Sequence, residues 1–96
     1  MLTLDDVLEP APGVVSRESN EELVVVLPRE GKFLVLNGTG AEVFRMLDGE
    51  RSLEDITVAL HDQYEAVPFK QIRKDVLAFA KKILGRDAAQ LVKRSE

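Results

Sequence analysis

The fold is decided by residues 31–49, GKFLVLNGTGAEVFRMLDG. The first part of this stretch is an apolar run, which predicts a β-strand over Lys32–Leu36. The second part predicts a short helix, because Thr39 and Glu42 have the spacing of a capping box and Gly49 suits a left-handed C-cap. The chain changes from extended to helical here, so strands are expected before the stretch and helices after it.

Two more strands are predicted upstream. Residues 14–18 form the first, and residues 23–27, LVVVL, form a central strand rich in β-branched side chains. Polar segments at 19–22 and 28–31 separate the strands and supply the turns. The short spacing predicts an antiparallel meander of three strands, with residues 32–36 as the third.

The third strand is unusual because it is apolar on both faces. Side chains alternate along a strand, so Phe33 and Val35 point to one face while Leu34 and Leu36 point to the other. A small antiparallel sheet normally leaves one polar face in water. Either both faces are covered, or one of them is a docking surface. If this strand lies at the sheet edge, its free N–H and C=O groups are able to pair with an added strand.

Three helices are expected after the strands. Ser52 and Asp55 repeat the capping-box spacing at the start of helix two, and Pro68 opens a helix three that runs to about Leu84. Helix three carries a core stripe of Ile72, Val76, Phe79 and Ile83. It also carries a second apolar stripe beside two basic residues, which indicates a surface for a partner: Leu77, Ala80 and Leu84, with Arg73 and Lys81.

These elements predict an α+β fold of the winged helix-turn-helix type, a three-stranded antiparallel sheet followed by three helices. Residues 1–11 are expected to be an extended N-terminal arm, fixed by the prolines of PAPG. Residues 12–86 form the domain, and residues 87–96 form a tail with one further helical turn. The chain shows no internal repeat and no linker.

Composition restricts the function. The 96 residues are 45% hydrophobic and 31% charged, which predicts one ordinary globular domain. The sequence has no cysteine, no signal peptide, and no apolar run long enough for a membrane span, so a cytoplasmic protein with no membrane partner is expected. The net charge of −4 opposes nonspecific nucleic-acid binding, which needs clustered cations.

No catalytic, metal or cofactor site is predicted. His61 is the lone histidine, and its neighbour Asp62 lies on a different side of a helix. The acidic residues around 48–55 match no EF-hand loop and are expected to cap helices and turns rather than bind a cation. The GTG at 38–40 lacks the lysine of a phosphate-binding loop, so it is interpreted as a helix start. Binding, rather than catalysis, is the expected activity.

The basic residues of helix three leave two interpretations open. Arg73, Lys74, Lys81 and Lys82 form either a solvated helix face, placed favourably towards the C-terminus, or a site for an acidic peptide or phosphate.

Three motifs carry a family resemblance. They are residues 36–41 (LNGTGA), 47–56 (LDGERSLEDI) and 75–79 (DVLAF), preceded by PAPGV at 10–14. In this order and spacing they resemble the PqqD family, small proteins of pyrroloquinoline quinone biosynthesis. The family includes related recognition elements of other systems that modify ribosomally made peptides, lasso peptides among them. One difference is that Gly85 is followed by Arg-Asp-Ala-Ala instead of a Gly-Leu-Leu-like ending.

The resemblance implies a non-catalytic peptide chaperone. Such proteins bind the leader of a precursor peptide and present it to a modifying enzyme of the radical-SAM type, and the leader adds as a strand beside helix three. The expected pairing strand is Lys32, Phe33, Leu34, Val35 and Leu36. The expected opposite wall is Arg73, Leu77, Ala80, Lys81 and Leu84, with Arg73 and Lys81 available to an acidic leader. Simple core packing is the alternative for Phe33 and Val35.

Two other functions stay open. A winged helix is able to present its third helix to DNA, although the charge and the apolar second stripe oppose this. A docking subunit would bind a larger enzyme without contacting the peptide. A homodimer that pairs through the free strand edge is also compatible with the sequence.

Overall fold

Residues 2–92 are described by the computed structural model, and they form a small sheet, a three-helix unit and a short strand pair. The strands are β1 (Leu8–Pro10), β2 (Val15–Ser19), β3 (Glu22–Leu27), β4 (Lys32–Leu36) and β5 (Ala89–Leu91). The helices are α1 (Gly38–Arg45), α2 (Leu53–Gln63) and α3 (Phe69–Gly85). The predicted α+β architecture is confirmed, and the strands of the meander lie within one residue of their predicted bounds.

The main sheet is antiparallel, with β3 between β2 and β4. Its register places Ser16, Val25 and Leu34 in one row and Val15, Val26 and Phe33 in the next. Because facing residues in adjacent strands share a face, the sheet has two distinct surfaces. The inner face, which packs on the helices, contains Leu23, Val25, Leu27, Leu34 and Leu36. The outer face contains Val15, Arg17, Val24, Val26, Phe33 and Val35.

The turns of the meander follow from local backbone geometry. Asn20 and Glu21 both have positive φ, 47° and 67°, and they connect the paired residues Ser19 and Glu22. Two such residues form the type I′ turn that matches the twist of a hairpin. Gly31, with φ of 64°, closes the turn into β4. The two tight turns place β4 at the edge of the sheet.

The expected arm and tail are joined to each other. β1 pairs with β5 in antiparallel register, Leu8 opposite Leu91 and Pro10 opposite Ala89. Leu8, Ala88 and Ala89 are buried in the same core as the helices. The predicted helical turn in the tail is therefore wrong over Ala89–Leu91, which is a strand. The core also extends on both sides of the 12–86 segment, while the tail's residues 93–96 lie outside the described range.

The start and end of α1 differ from the prediction. Its N-cap is Asn37 rather than Thr39, and no side chain caps the helix. Glu42, which was expected to complete a capping box, instead accepts a hydrogen bond of 3.1 Å from the Tyr64 hydroxyl. The helix ends at Arg45, so Gly49, with φ of 78°, lies in the following turn. There its N–H donates to the Leu8 carbonyl and connects this turn to β1.

The other two helices begin within one residue of the prediction. Ser52 and Asp55 form a complete capping box, in which each side chain accepts from the other's backbone N–H, at 3.1 and 3.0 Å. Pro68 is the N-cap of α3, which ends one residue beyond the predicted Leu84.

The core stripe of α3 differs at two positions. Ile72, Val76 and Ile83 are buried as expected, but Phe79 is only half-buried. Ala80, expected on the partner stripe, is completely buried. The buried side of α3 is therefore centred nearer to Ala80, and further from Phe79, than the predicted core stripe.

Candidate binding groove

β4 is an open edge of the main sheet. Its inner neighbour is β3, and among residues 2–92 no strand pairs with its other side. Every second N–H and C=O of such an edge points away from the sheet and lacks a strand partner. The prediction that this strand lies at an edge is confirmed.

The side chains of β4 separate into two sets. Leu36 is 6% exposed and Leu34 is half-buried, so both belong to the inner face. Phe33 is 64% exposed and Val35 is 49% exposed, so the alternative of core packing is wrong for these two residues. Lys32 is exposed at the start of the strand. β4 thus combines an anchored inner face with an apolar outer face in water.

The second half of α3 runs beside β4. Phe79 packs against Gly40, where an added Cβ would lie 3.2 Å from the ring carbon Cε1. Seven residues later, Arg86 pairs with Glu30, just before β4 begins. Seven residues are about two helical turns, so Phe79 and Arg86 lie on the same side of the helix. α3 therefore runs antiparallel to β4, and the space between Lys32–Leu36 and residues 79–86 is called the β4–α3 groove.

An ion pair closes one end of this groove. Arg86 donates from Nη2 to Oε1 of Glu30 at 3.2 Å and from Nε to Oε2 at 3.4 Å. The two side chains are 37% and 31% exposed, so water screens the pair only in part. A second contact, 3.9 Å between Arg29 Nη1 and Asp87 Oδ2, joins the same two segments. Together these contacts hold the β3–β4 turn to the end of α3.

The predicted helical wall is not the side of α3 that meets residues 30–40. At about 100° per residue, Arg73, Leu77, Lys81 and Leu84 lie roughly 120–160° around the helix from Phe79. Leu77 and Leu84 are half-buried against the core, whereas Arg73 and Lys81 are exposed. Ala80 is buried, so its side chain is not available to a ligand. The side that meets residues 30–40 instead carries Phe79 and Arg86, with Lys82 about 60° from Phe79 around the helix. Phe79 was expected in the core and Lys82 was one of the four basic residues considered, whereas the sequence did not indicate Arg86.

Two residues considered for cation binding or catalysis, Asp48 and His61, make contacts that hold the local structure. Asp48 accepts hydrogen bonds from the backbone N–H groups of Arg51 and Glu50, at 2.8 and 2.9 Å, which hold the pKa of its carboxyl below the usual value. His61 packs edge-to-face on Phe69, with 5.5 Å between ring centres. Within the described part of the chain, no three His, Cys, Asp or Glu side chains are grouped to hold a metal ion.

The family model for coenzyme PQQ synthesis protein D (PqqD) matches residues 22–88 of this sequence. The match spans β3 and β4 of the main sheet and all three helices, and it begins after β2. The chain belongs to the PqqD family. A comparison with curated proteins gives no match.

A solved structure shares the fold. It is described as TbiB1 in complex with the TbiA(beta) leader peptide, and it superposes with a TM-score of 0.77. The alignment covers 92% of this chain and 99% of that chain, with 19% sequence identity. At an identity this low, the comparison establishes only that the two folds are alike. Among residues 2–92, the structure has no helix that combines the length and apolar character needed to cross a bilayer.

Proposed function

We propose that this PqqD-family protein binds the leader segment of a ribosomally made precursor peptide, which adds to β4 as a fourth strand. The observation that carries the proposal is the open edge of β4, with α3 running alongside it. Strand addition supplies main-chain hydrogen bonds, while alternate side chains enter neighbouring pockets and give selectivity. The leader peptide in the TbiB1 complex is consistent with this ligand class.

The side chains of β4 suit a fourth strand. An added strand would alternate between the inner face, beside Leu34 and Leu36, and the outer face, beside Phe33 and Val35. Cross-strand pairs with exposed apolar residues stabilise an added strand, because the partner covers surface that is otherwise in water. Lys32 provides a charge at one end of the strand. The proposed pairing residues are therefore Lys32–Leu36. Their inner-face side chains anchor the strand to the core, and their outer-face side chains are available to the added strand.

The proposed role is that of a non-catalytic carrier. The bound leader would be presented to a peptide-modifying enzyme, of the radical-SAM type in the quinone pathway. In this role the leader and the enzyme bind at the same time, so neither prevents binding of the other. A second copy of the chain that paired through β4 would instead compete with the leader for the same backbone groups.

The proposal is tested by an amide-resolved NMR titration with synthetic leaders of candidate precursors, including the TbiA(beta) leader. We expect shifts concentrated at residues 32–36 and 79–86, because both sides of the groove contact the peptide. Shifts elsewhere, or none with any leader, would contradict the proposal. Duplex DNA and the candidate enzyme without leader are titrated in parallel. A response to DNA alone would favour the nucleic-acid hypothesis, and a response to enzyme alone would favour a docking subunit.

A further inference from the structure

Arg86 has hydrogen-bonding capacity that Glu30 does not use. A guanidinium has five N–H donors, and the contact with Glu30 engages two of them, from Nε and Nη2. The remaining donors lie on a planar fork that suits a second carboxylate. Because the side chain is only partly exposed, water and salt screen its attraction to an incoming carboxylate less than they would at an open surface.

The surroundings of Arg86 are positively charged. Arg29, Lys32 and Lys82 carry cations near the same end of the groove, and the carboxylates of Glu30 and Asp87 are the counter-charges there. This local excess of cations contrasts with the net charge of −4 for the whole chain.

There is also room beside the guanidinium. A cavity of about 300 Å³ has Arg86, Arg29 and Asp87 in its wall, together with residues of the β1–β2 connection, the β3–β4 turn and β5. None of the residues in its wall belongs to β4 or α3, so the cavity lies at the Arg86 end of the groove rather than between the strand and the helix. The cavity has room for a carboxylate side chain beside the guanidinium of Arg86, although Asp87 already places one carboxylate in the wall, 3.9 Å from Arg29.

We propose that Arg86 is a specificity-determining residue of the groove that binds a carboxylate side chain of the peptide near the start of β4. In the free protein Glu30 holds the guanidinium in place, and it competes with the incoming carboxylate. This inference rests on the proposed function, because it assumes a peptide in the β4–α3 groove. It moves the acid-binding role away from Arg73 and Lys81, which lie on another side of α3.

The two partners of the ion pair are expected to have opposite effects. Arg86→Gln removes the cation, so an acidic peptide should bind roughly fivefold more weakly while its amide analogue is unaffected. Glu30→Gln removes a competing like charge, so the acidic peptide should bind more tightly and the amide analogue should not change. A pair that only held the fold together would instead weaken both peptides in both variants.

The probe is a peptide selected from a random library displayed against the immobilised wild-type protein, kept if it shifts the β4 amides. Each acidic position is then replaced by its amide, Asp by Asn or Glu by Gln, and dissociation constants are measured by calorimetry. We expect one acidic position at which the wild-type protein prefers the acid. That preference should disappear in Arg86→Gln, partly remain in Arg86→Lys, and increase in Glu30→Gln. High salt should reduce it.

A matched control is available in the same chain. Glu18 and Arg45 form a similar two-bonded pair, with both bonds 2.7 Å, between β2 and the end of α1. Glu18→Gln and Arg45→Gln should leave the acid preference unchanged, because neither residue borders the groove.

The outcomes separate this inference from the proposed function. If no library peptide or leader shifts residues 32–36, strand addition is wrong and the inference fails with it. If peptides bind there but the acid preference is absent, or survives Arg86→Gln, the inference alone is overturned. Equal loss for acidic and amide peptides in both variants also overturns it, because the pair then acts on the shape of the groove.

Discussion

The main sheet has two edge strands, β2 and β4, which differ in the charge and the burial of their side chains. Within the described residues 2–92, both β2 and β4 pair with β3 on one side and with no strand on the other. β2 is VSRES, exposed at all five positions, with Arg17 and Glu18 in its middle. β4 is KFLVL, with one charge at its first position and two residues that reach into the core. Charged side chains on an edge discourage another strand from pairing, whereas an apolar edge permits it.

The neighbours of the two edges differ as well. Glu18 of β2 is held by Arg45 at the end of α1, which keeps a charged pair beside that edge. β4 has α3 alongside, with Phe79 near one end and Arg86 near the other. Both edge strands have backbone N–H and C=O groups able to pair with another strand. Charged side chains protect β2, whereas β4 is open beside the β4–α3 groove. This asymmetry favours β4 as a binding site rather than an edge left free by chance.

Proline in β4 should have the largest effect on binding. Alternate N–H groups of an edge strand point outward, so one of Leu34→Pro and Val35→Pro removes an outward donor, while the other removes a bond to β3. The variant that keeps its fold should lose leader binding, which is measured by calorimetry after the fold is checked by NMR. Unchanged affinity in a folded variant would rule out strand addition at β4.

β2 supplies the matched control for this experiment. Ser16 and Leu34 both face Val25, and Arg17 and Val35 both face Val24, so the two edges are substituted in the same rows. Whichever of Ser16→Pro and Arg17→Pro folds should bind the leader as the wild type does. Equal loss from both edges would mean that proline acts by loosening the whole sheet.

Within β4, stability and binding should separate by face. Leu36→Ala removes a buried side chain and should cost about 2–4 kcal/mol in the free energy of unfolding. Phe33→Ala changes an exposed side chain, so unfolding should be nearly unaffected while leader binding weakens about threefold through lost cross-strand contact. Urea denaturation and calorimetry measure the two quantities. A large loss of stability from Phe33→Ala would contradict the exposed position of this ring.

Making β2 resemble β4 should create a second open edge. Replacing both Arg17 and Glu18 with Val removes the two charges and adds β-branched side chains that suit a strand. We expect the double variant to self-associate more strongly than the wild type, as seen in the concentration dependence of its sedimentation. Gln at both positions removes the charges without adding apolar surface, so that control should associate less. If the Val variant matched the wild type, charge would not be what protects β2.

The features of β4 were accessible from sequence because they are local. Alternation in KFLVL, the turn residues around it, and the change to a helical pattern after Asn37 are all contained within a short window. Which apolar face is covered was not accessible. Phe33 and Leu36 are equally suited to a core, and only the packing of the helices on the inner face distinguishes them.

The orientation of α3 depends on distant contacts, so its groove side was not predictable. Phe79 packs against α1 because the absent side chain at Gly40 lets the ring approach. Leu77 and Leu84, which resemble a free stripe, are half-buried against the core. The strand pair of β1 and β5 was missed for a similar reason. Each strand has three residues, and the two partners lie about eighty positions apart, so neither shows a period of its own.

The smallest predicted effect concerns the protected edge and its dependence on pH. The hydrogen bonds from Arg45 hold the pKa of the Glu18 carboxyl below its usual value of 4.5. A carboxyl with a lowered pKa in the folded state stabilises the fold above the unfolded pKa, and that stabilisation is lost as pH falls through the folded pKa. Glu18→Gln should therefore be less stable than the wild type at neutral pH, and the difference should disappear on acidification below 4.5. A double-mutant cycle with Arg45→Gln measures the coupling, which should be present at neutral pH and absent in acid. Leader binding at β4 should not change in either variant at neutral pH, because the pair lies at the opposite edge. A coupling that persisted in acid would show that the two side chains interact through packing rather than charge.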